Sequence, residues 1–163
     1  MPESFPLPIG LRLNQSARAV GRAFDEALAA AGGSLPVWLV LLNLKISRPG
    51  NQRELAEAVG IQEATLTAHL NSMETNGLLT RTRDPANRRV HIVELTDEGE
   101  TAFGRLREAA VAFDRRLRSG MADADLARLA DLLGRLAANV GVEVDDAPPW
   151  AGLDERPPDR EAR

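Results

Sequence analysis

The sequence predicts a mainly α-helical fold with one small β-hairpin. Two observations carry that reading. Apolar residues recur at spacings of three and four through most of the chain, the period of one helix face. A single stretch, Leu79–Leu95, instead holds two runs rich in Thr, Val, Ile and Leu on either side of the turn residues Asp84-Pro85-Ala86-Asn87. The 163 residues fit one core. Aromatics are scarce and Tyr is absent, so that core is expected to be aliphatic.

In chain order, a first helix is expected from about Leu7 to Ala31, with the stripe Ile9, Leu13, Ala17, Val20, Phe24 and Leu28 and a stop at Gly32-Gly33. Ser34 can cap a second helix, where Pro36 is tolerated in the first turn. That helix, running to Ile46, is apolar nearly all round and is expected inside. Arg48-Pro49-Gly50 breaks the chain. Asn51 with Glu54 resembles a capping box opening a short third helix, Gln52–Ala58, which Gly60 ends. A fourth helix follows at once, Gln62–Asn76, burying Leu66, Leu70 and Met73 and closed by Gly77.

The hairpin strands are expected at Leu79–Arg83 and Arg89–Leu95. Thr96 is placed to cap a long fifth helix, Asp97 to about Ser119, with the stripe Phe103, Leu106, Ala110, Phe113 and Leu117. After Gly120, Asp123 is expected to cap a sixth helix. Its Leu126, Leu129, Leu133, Leu136 and Val140 repeat like a coiled-coil seam. Residues 143–163 are acidic and Pro-rich and are expected to be disordered; where Trp150 lies is left open.

Charge bounds the function. The net charge of −4 is unusual for a chain that meets polyanions, but the tail from Glu143 holds seven acids against three arginines and accounts for it. Between Thr80 and His91, Arg81, Arg83, Arg88 and Arg89 face one acid, Asp84. Such a local basic patch is the electrostatic footprint of nucleic-acid binding, which a global charge can hide. The chain has no Cys, which excludes disulfides, thiolate zinc sites and thiol redox sensing and fits a cytoplasmic location. No apolar run suits a membrane span and no signal-peptide pattern opens the chain, so no membrane partner is expected. The two histidines are far apart and the acids form no recognisable pair. No metal, no cofactor and no catalytic activity are therefore expected.

The strongest signal is order. A short helix, the turn Val59-Gly60-Ile61 and a second helix form a helix-turn-helix, and an arginine-tipped hairpin follows as a wing. The second helix can enter a DNA major groove, while wing arginines suit flanking phosphates or the narrow minor groove. Glu54-Leu55-Ala56, Thr65 and Thr67, Gly77-Leu78-Leu79, the Arg83-Asp84-Pro85 turn and Leu95-Thr96 with Gly99 together resemble the MarR family of bacterial regulators. The helix order is similar from Leu7 to Val140.

The resemblance implies a winged helix-turn-helix domain at 1–142. Its DNA-binding lobe spans about 34–96, and its dimerisation helices span about 7–31 and 97–141. It implies a homodimer on a near-palindromic duplex-DNA site, most often a repressor, released by a small lipophilic or aromatic effector.

Two departures from the family pattern shape the site. Asn87 stands where the family wing carries Asp, so Arg89, matching the minor-groove arginine, has an amide rather than a charge beside it. Ala68 and Ser72 stand where the family's recognition helix usually carries arginine. Base reading then falls to Gln62, Glu63, Thr65, Thr67, His69 and Asn71. Phosphate contact falls to Arg48, Arg53 and the wing residues Arg81, Arg83, Asn87, Arg88 and Arg89.

Plainer readings stand beside these. Gln62 and Glu63 also suit a helix N-terminus, His69 also suits a partly buried hydrogen-bonded site, and Arg81 or Arg83 can pair with Asp84 or Glu94. Phe24 and Trp38 lie near the family's effector pocket, though core packing explains both. A winged helix that activates transcription, or one that binds a protein instead of DNA, is the rival reading.

Overall fold

The structure, a computed structural model, describes residues 8–46, 49, 51–88 and 91–142. Arg48, Arg89 and the tail 143–163 lie outside the described residues. Among the described residues the chain forms α1 (Ile9–Ala30), α2 (Leu35–Ile46), α3 (Gln52–Val59), α4 (Glu63–Thr75), β1 (Leu79–Arg83), β2 (His91–Leu95), α5 (Asp97–Leu117) and α6 (Asp123–Asn139). β1 and β2 are antiparallel, with Leu79 opposite Leu95 and Arg83 opposite His91.

The core grows around α2. Val40, Leu41 and Leu42 are buried there, and the helix packs against α1, α3, α4, α5 and β2. Leu28 of α1, Leu55 of α3, Leu66, Leu70 and Met73 of α4, Leu79 of β1 and Leu106 of α5 complete it. These are the inward positions that the apolar spacing selects. Asn43 is the buried polar residue of α2; its amide donates to the Leu39 carbonyl at 2.8 Å, so its burial leaves no donor stranded. Two aromatic pairs fasten α5 to the helices before it: Trp38 stacks on Phe103 with centroids 5.8 Å apart, and Phe24 meets Phe113 at 5.0 Å.

Local chemistry sets the element ends. Asn51 Oδ1 accepts the Glu54 N–H at 3.0 Å and Asn51 Nδ2 donates to Glu54 Oε1 at 2.9 Å. The Asn51 side-chain amide thus satisfies the Glu54 N–H, one of the donors a first turn leaves unpaired, and also binds the Glu54 carboxylate. Gly60 takes φ +77 to leave α3, a conformation glycine adopts without strain. Thr96 Oγ1 accepts the Gly99 N–H at 3.0 Å and donates to the Gly77 carbonyl, tying the start of α5 to the end of α4.

Two expectations shift and one is met only at long range. The turn of the helix-turn-helix is Gly60-Ile61-Gln62, because Gln62 is an extended N-cap without a side-chain cap bond. Ser34 Oγ lies 3.5 Å from the Val37 N–H, the long limit of a cap. Asp123 does not cap α6: the chain turns helical one residue earlier, Ala122 is the N-cap, and the Asp123 carboxylate acts only on the helix dipole.

Candidate nucleic-acid interface

The helix-turn-helix and wing form one surface. α3 packs on α4, β1 packs on α4, and β2 packs on α3. Leu66, Leu70 and Met73 bury one side of α4, which leaves Ala64, Thr65, Ala68, Asn71, Ser72 and Thr75 exposed on the other. Apart from Asn71 these side chains are short, so the backbone of this helix can come close to a groove floor. Gln62 and Glu63 are exposed at its N-terminal end, where Glu63 stands in the first turn.

Other sequence-selected residues differ in how far they are held inside the surface. Thr67 Oγ1 donates to the Glu63 carbonyl at 2.8 Å and accepts from Gln52 Nε2 at 2.7 Å, joining α4 to α3. His69 is half-buried at the opposite edge of the exposed face. Arg53 pairs with Glu57 one turn on at 3.2 Å; both are well exposed, so the pair is weak.

On the wing, Leu79 is buried, Arg81 half-buried and Arg83 exposed, in order along one face of β1. Arg81 reaches neither Asp84 nor Glu94. Its Nη2 lies 2.6 Å from Glu74 Oε2 and 2.5 Å from Asn71 Oδ1, and its Nε lies 3.0 Å from Glu74 Oε2. The Arg81 hydrogen bonds hold the Glu74 carboxyl below its ordinary value.

Arginine only donates, so Asn71 must turn its oxygen toward Arg81 and its NH2 outward. Asp84 folds the tip by accepting the Ala86 N–H at 2.7 Å. Asn87 and Arg88 are exposed beyond it, and neither Arg83 nor Arg88 forms an ion pair among the described residues. An open polar cleft of about 480 Å³ lies between helix-turn-helix and wing, lined by Asn51, Gln52, Arg53, Glu63, Thr67, Arg81 and His91.

Sequence reading missed Glu74 and Gln52, the side chains that fix the surface. Glu74 is seven residues from Arg81 and Gln52 is fifteen from Thr67, so only the folded turn at Gly77 and the helix crossing bring them together. Phe24 and Trp38 lie away from this surface; Trp38 is buried in the core and Phe24 half-buried on it.

A helix-turn-helix followed by an arginine-bearing hairpin, set on a helical body, defines a winged helix-turn-helix DNA-binding protein. Residues 34–91 match the MarR family model. The crystal structure of transcriptional regulator PA3341 is 31% identical, with a TM-score of 0.66 over 81% of this chain and 97% of that one. The transcriptional repressor CouR, bound to a 23-mer DNA duplex, is 29% identical with a TM-score of 0.66 over 78% and 91% of the two chains. An uncharacterized HTH-type regulator of Bacillus subtilis (strain 168), YwoH, is 28% identical over 114 residues, 70% of this chain and 82% of that one. The chain belongs to the MarR family of DNA-binding transcriptional regulators.

Proposed function

We propose that this regulator is a homodimeric repressor that occupies a near-palindromic operator and is released by a small aromatic or lipophilic effector. The observation that carries the dimer is the body beneath the DNA-binding lobe. No residue of α6 is buried, although Leu129, Leu132 and Leu133 line it, and Ile9, Leu13 and Val20 leave the first half of α1 equally bare. Unpartnered apolar surface on two helices is what an isologous interface can bury. Two recognition helices related by a two-fold axis would meet half-sites about 10 base pairs apart.

DNA contact is assigned to Gln62 at the N-cap of α4, to Glu63, Thr65 and His69 within α4, and to Arg83, Asn87 and Arg88 of the wing. Arg48 and Arg89 are proposed from the sequence. Thr67, Asn71 and Arg81 support this surface from within, with the outward NH2 of Asn71 free to meet a groove acceptor. The chain works by binding in the cytoplasm, without catalysis or cofactor.

The effector reading rests on the two aromatic pairs between α5 and the helices before it, and on CouR of Rhodococcus jostii RHA1, which is also known bound to p-coumaroyl-CoA. A planar ligand parting Trp38 from Phe103 or Phe24 from Phe113 would push α2 or α1 away from α5 and so change the spacing of the recognition helices. Fluorescence anisotropy with the intergenic duplex upstream of its own gene tests the whole reading. Tight, salt-sensitive binding that survives excess random DNA is expected, with release by aromatic acids or their thioesters. Binding no tighter than to random DNA would favour a role on another operator or on a protein.

A further inference from the structure

Arg81 is the wing arginine whose charge is already spent. Its guanidinium gives two bonds to Glu74 Oε2 and one to Asn71 Oδ1, and its backbone N–H points at Glu74 Oε1 from 3.3 Å. Glu74 thus holds both the side chain and the backbone of one strand residue. The Arg81 side chain is 18% exposed and that of Glu74 39%, so the pair lies partly out of water.

We propose that Glu74 is a positioning residue for DNA binding, which locks the wing to the recognition helix through Arg81 and withdraws that arginine from phosphate contact. The proposal rests on the reading of α4 and the hairpin as the DNA-contacting surface.

Two consequences follow physically. A wing whose angle to α4 is set before DNA arrives has less freedom to lose on binding. A cation neutralised by its own carboxylate releases few counterions from DNA, so Arg81 adds little to sequence-independent affinity. The lowered pKa of Glu74, caused chiefly by its hydrogen bonds from Arg81, agrees with a pair that stays charged near neutral pH. Freed from Glu74, Arg81 would attract any phosphate, which strengthens binding to random DNA more than it improves discrimination.

The test is the salt dependence of binding to a random-sequence duplex and to a duplex that the full-length protein selects from a random pool. Arg83→Ala and Arg88→Ala should each lower the slope of log K against log salt by about 0.9. Arg81→Met should leave the slope at its wild-type value. Glu74→Gln should raise it by about one and narrow the ratio of selected to random affinity severalfold, whereas Glu74→Asp, which keeps the charge, should stay near wild type.

A loss of slope in Arg81→Met equal to that in Arg83→Ala would overturn the proposal, as would an unmoved slope in Glu74→Gln when the Arg83 and Arg88 variants respond. Unmoved slopes in both Arg83→Ala and Arg88→Ala would sink the DNA-contacting reading of the wing, and the role of Glu74 with it. Glu74→Gln and Glu74→Asp change size little at a partly exposed site, and a thermal melt identifies any variant whose fold is lost.

Discussion

At Gly99 a single hydrogen atom decides whether α5 can begin where it does. A Cβ built there would lie 1.9 Å from the Leu78 carbonyl oxygen, and that carbonyl also accepts the Thr96 N–H. Neither partner can yield, because both are backbone. Gly99→Ala is expected to cost about 2 kcal/mol or more, the upper part of the usual range for overpacking, read as a shift in urea midpoint without a change in slope. A midpoint within experimental scatter of the wild type would show that α5 docks differently. Thr96 next to it serves two partners, the Gly99 N–H and the Gly77 carbonyl. Thr96→Ala should lose about 1 kcal/mol as a missing helix cap. The exposed Thr65, which forms no internal bond of this kind, should tolerate alanine within about 0.5 kcal/mol. DNA binding should rank the two oppositely, since Thr65 lies on the exposed face of α4 and Thr96 does not.

The wing is an element whose attachment changes with pH. Arg81 hydrogen bonds, chiefly, depress the Glu74 pKa below its usual 4.5. A depressed carboxyl contributes stability that is fully present above the unfolded value and lost as pH falls through the folded one. The lock should therefore be constant from neutral pH down to about pH 5 and fail only in more acid solution. Amide hydrogen exchange at Arg81, whose N–H faces Glu74, should show protection that drops below that range and is pH-independent in Glu74→Gln. Loss of protection already at pH 6 would show that the Glu74 charge does not govern the lock. What the sequence displayed of these elements was their local chemistry. Asn51 with Glu54, Thr96 with Gly99, and the glycines at 60 and 77 act within three or four residues, so spacing exposes them. The Glu74 and Arg81 pair was invisible because each residue has a sufficient local explanation, an acid on a helix surface and a base on a strand. Their meeting depends on the reversal at Gly77. Asp123 misled for the opposite reason: an acid just after Gly120 looks like a cap, and a shift of one residue in the helix start removes the role.

At the scale of the whole molecule, the described chain has a finished half and an unfinished one. The lobe around α2 buries every large apolar residue of α4 and β1, whereas α6 buries none and still carries Leu129 at 44% exposure and Leu133 at 40%. A helix of that pattern gains little by standing alone, since most helical stability comes from packing an apolar face. The missing packing is expected from a second copy. Leu129→Glu with Leu133→Glu would set four carboxylates in a two-fold seam while touching nothing in the core of the lobe. Analytical ultracentrifugation should then show the monomer at concentrations where the wild type is dimeric, with the circular dichroism of the lobe kept. Operator affinity should fall about 10²–10⁴-fold, because the second half-site is no longer held at high effective concentration. Random-DNA affinity per lobe and the contribution of Arg83 and Arg88 to its salt dependence should persist. A variant that remains dimeric would move the interface onto α1 alone. A wild type that is monomeric yet binds its operator tightly would mean that one recognition helix and one wing suffice, and the expectation of paired half-sites would have to be abandoned.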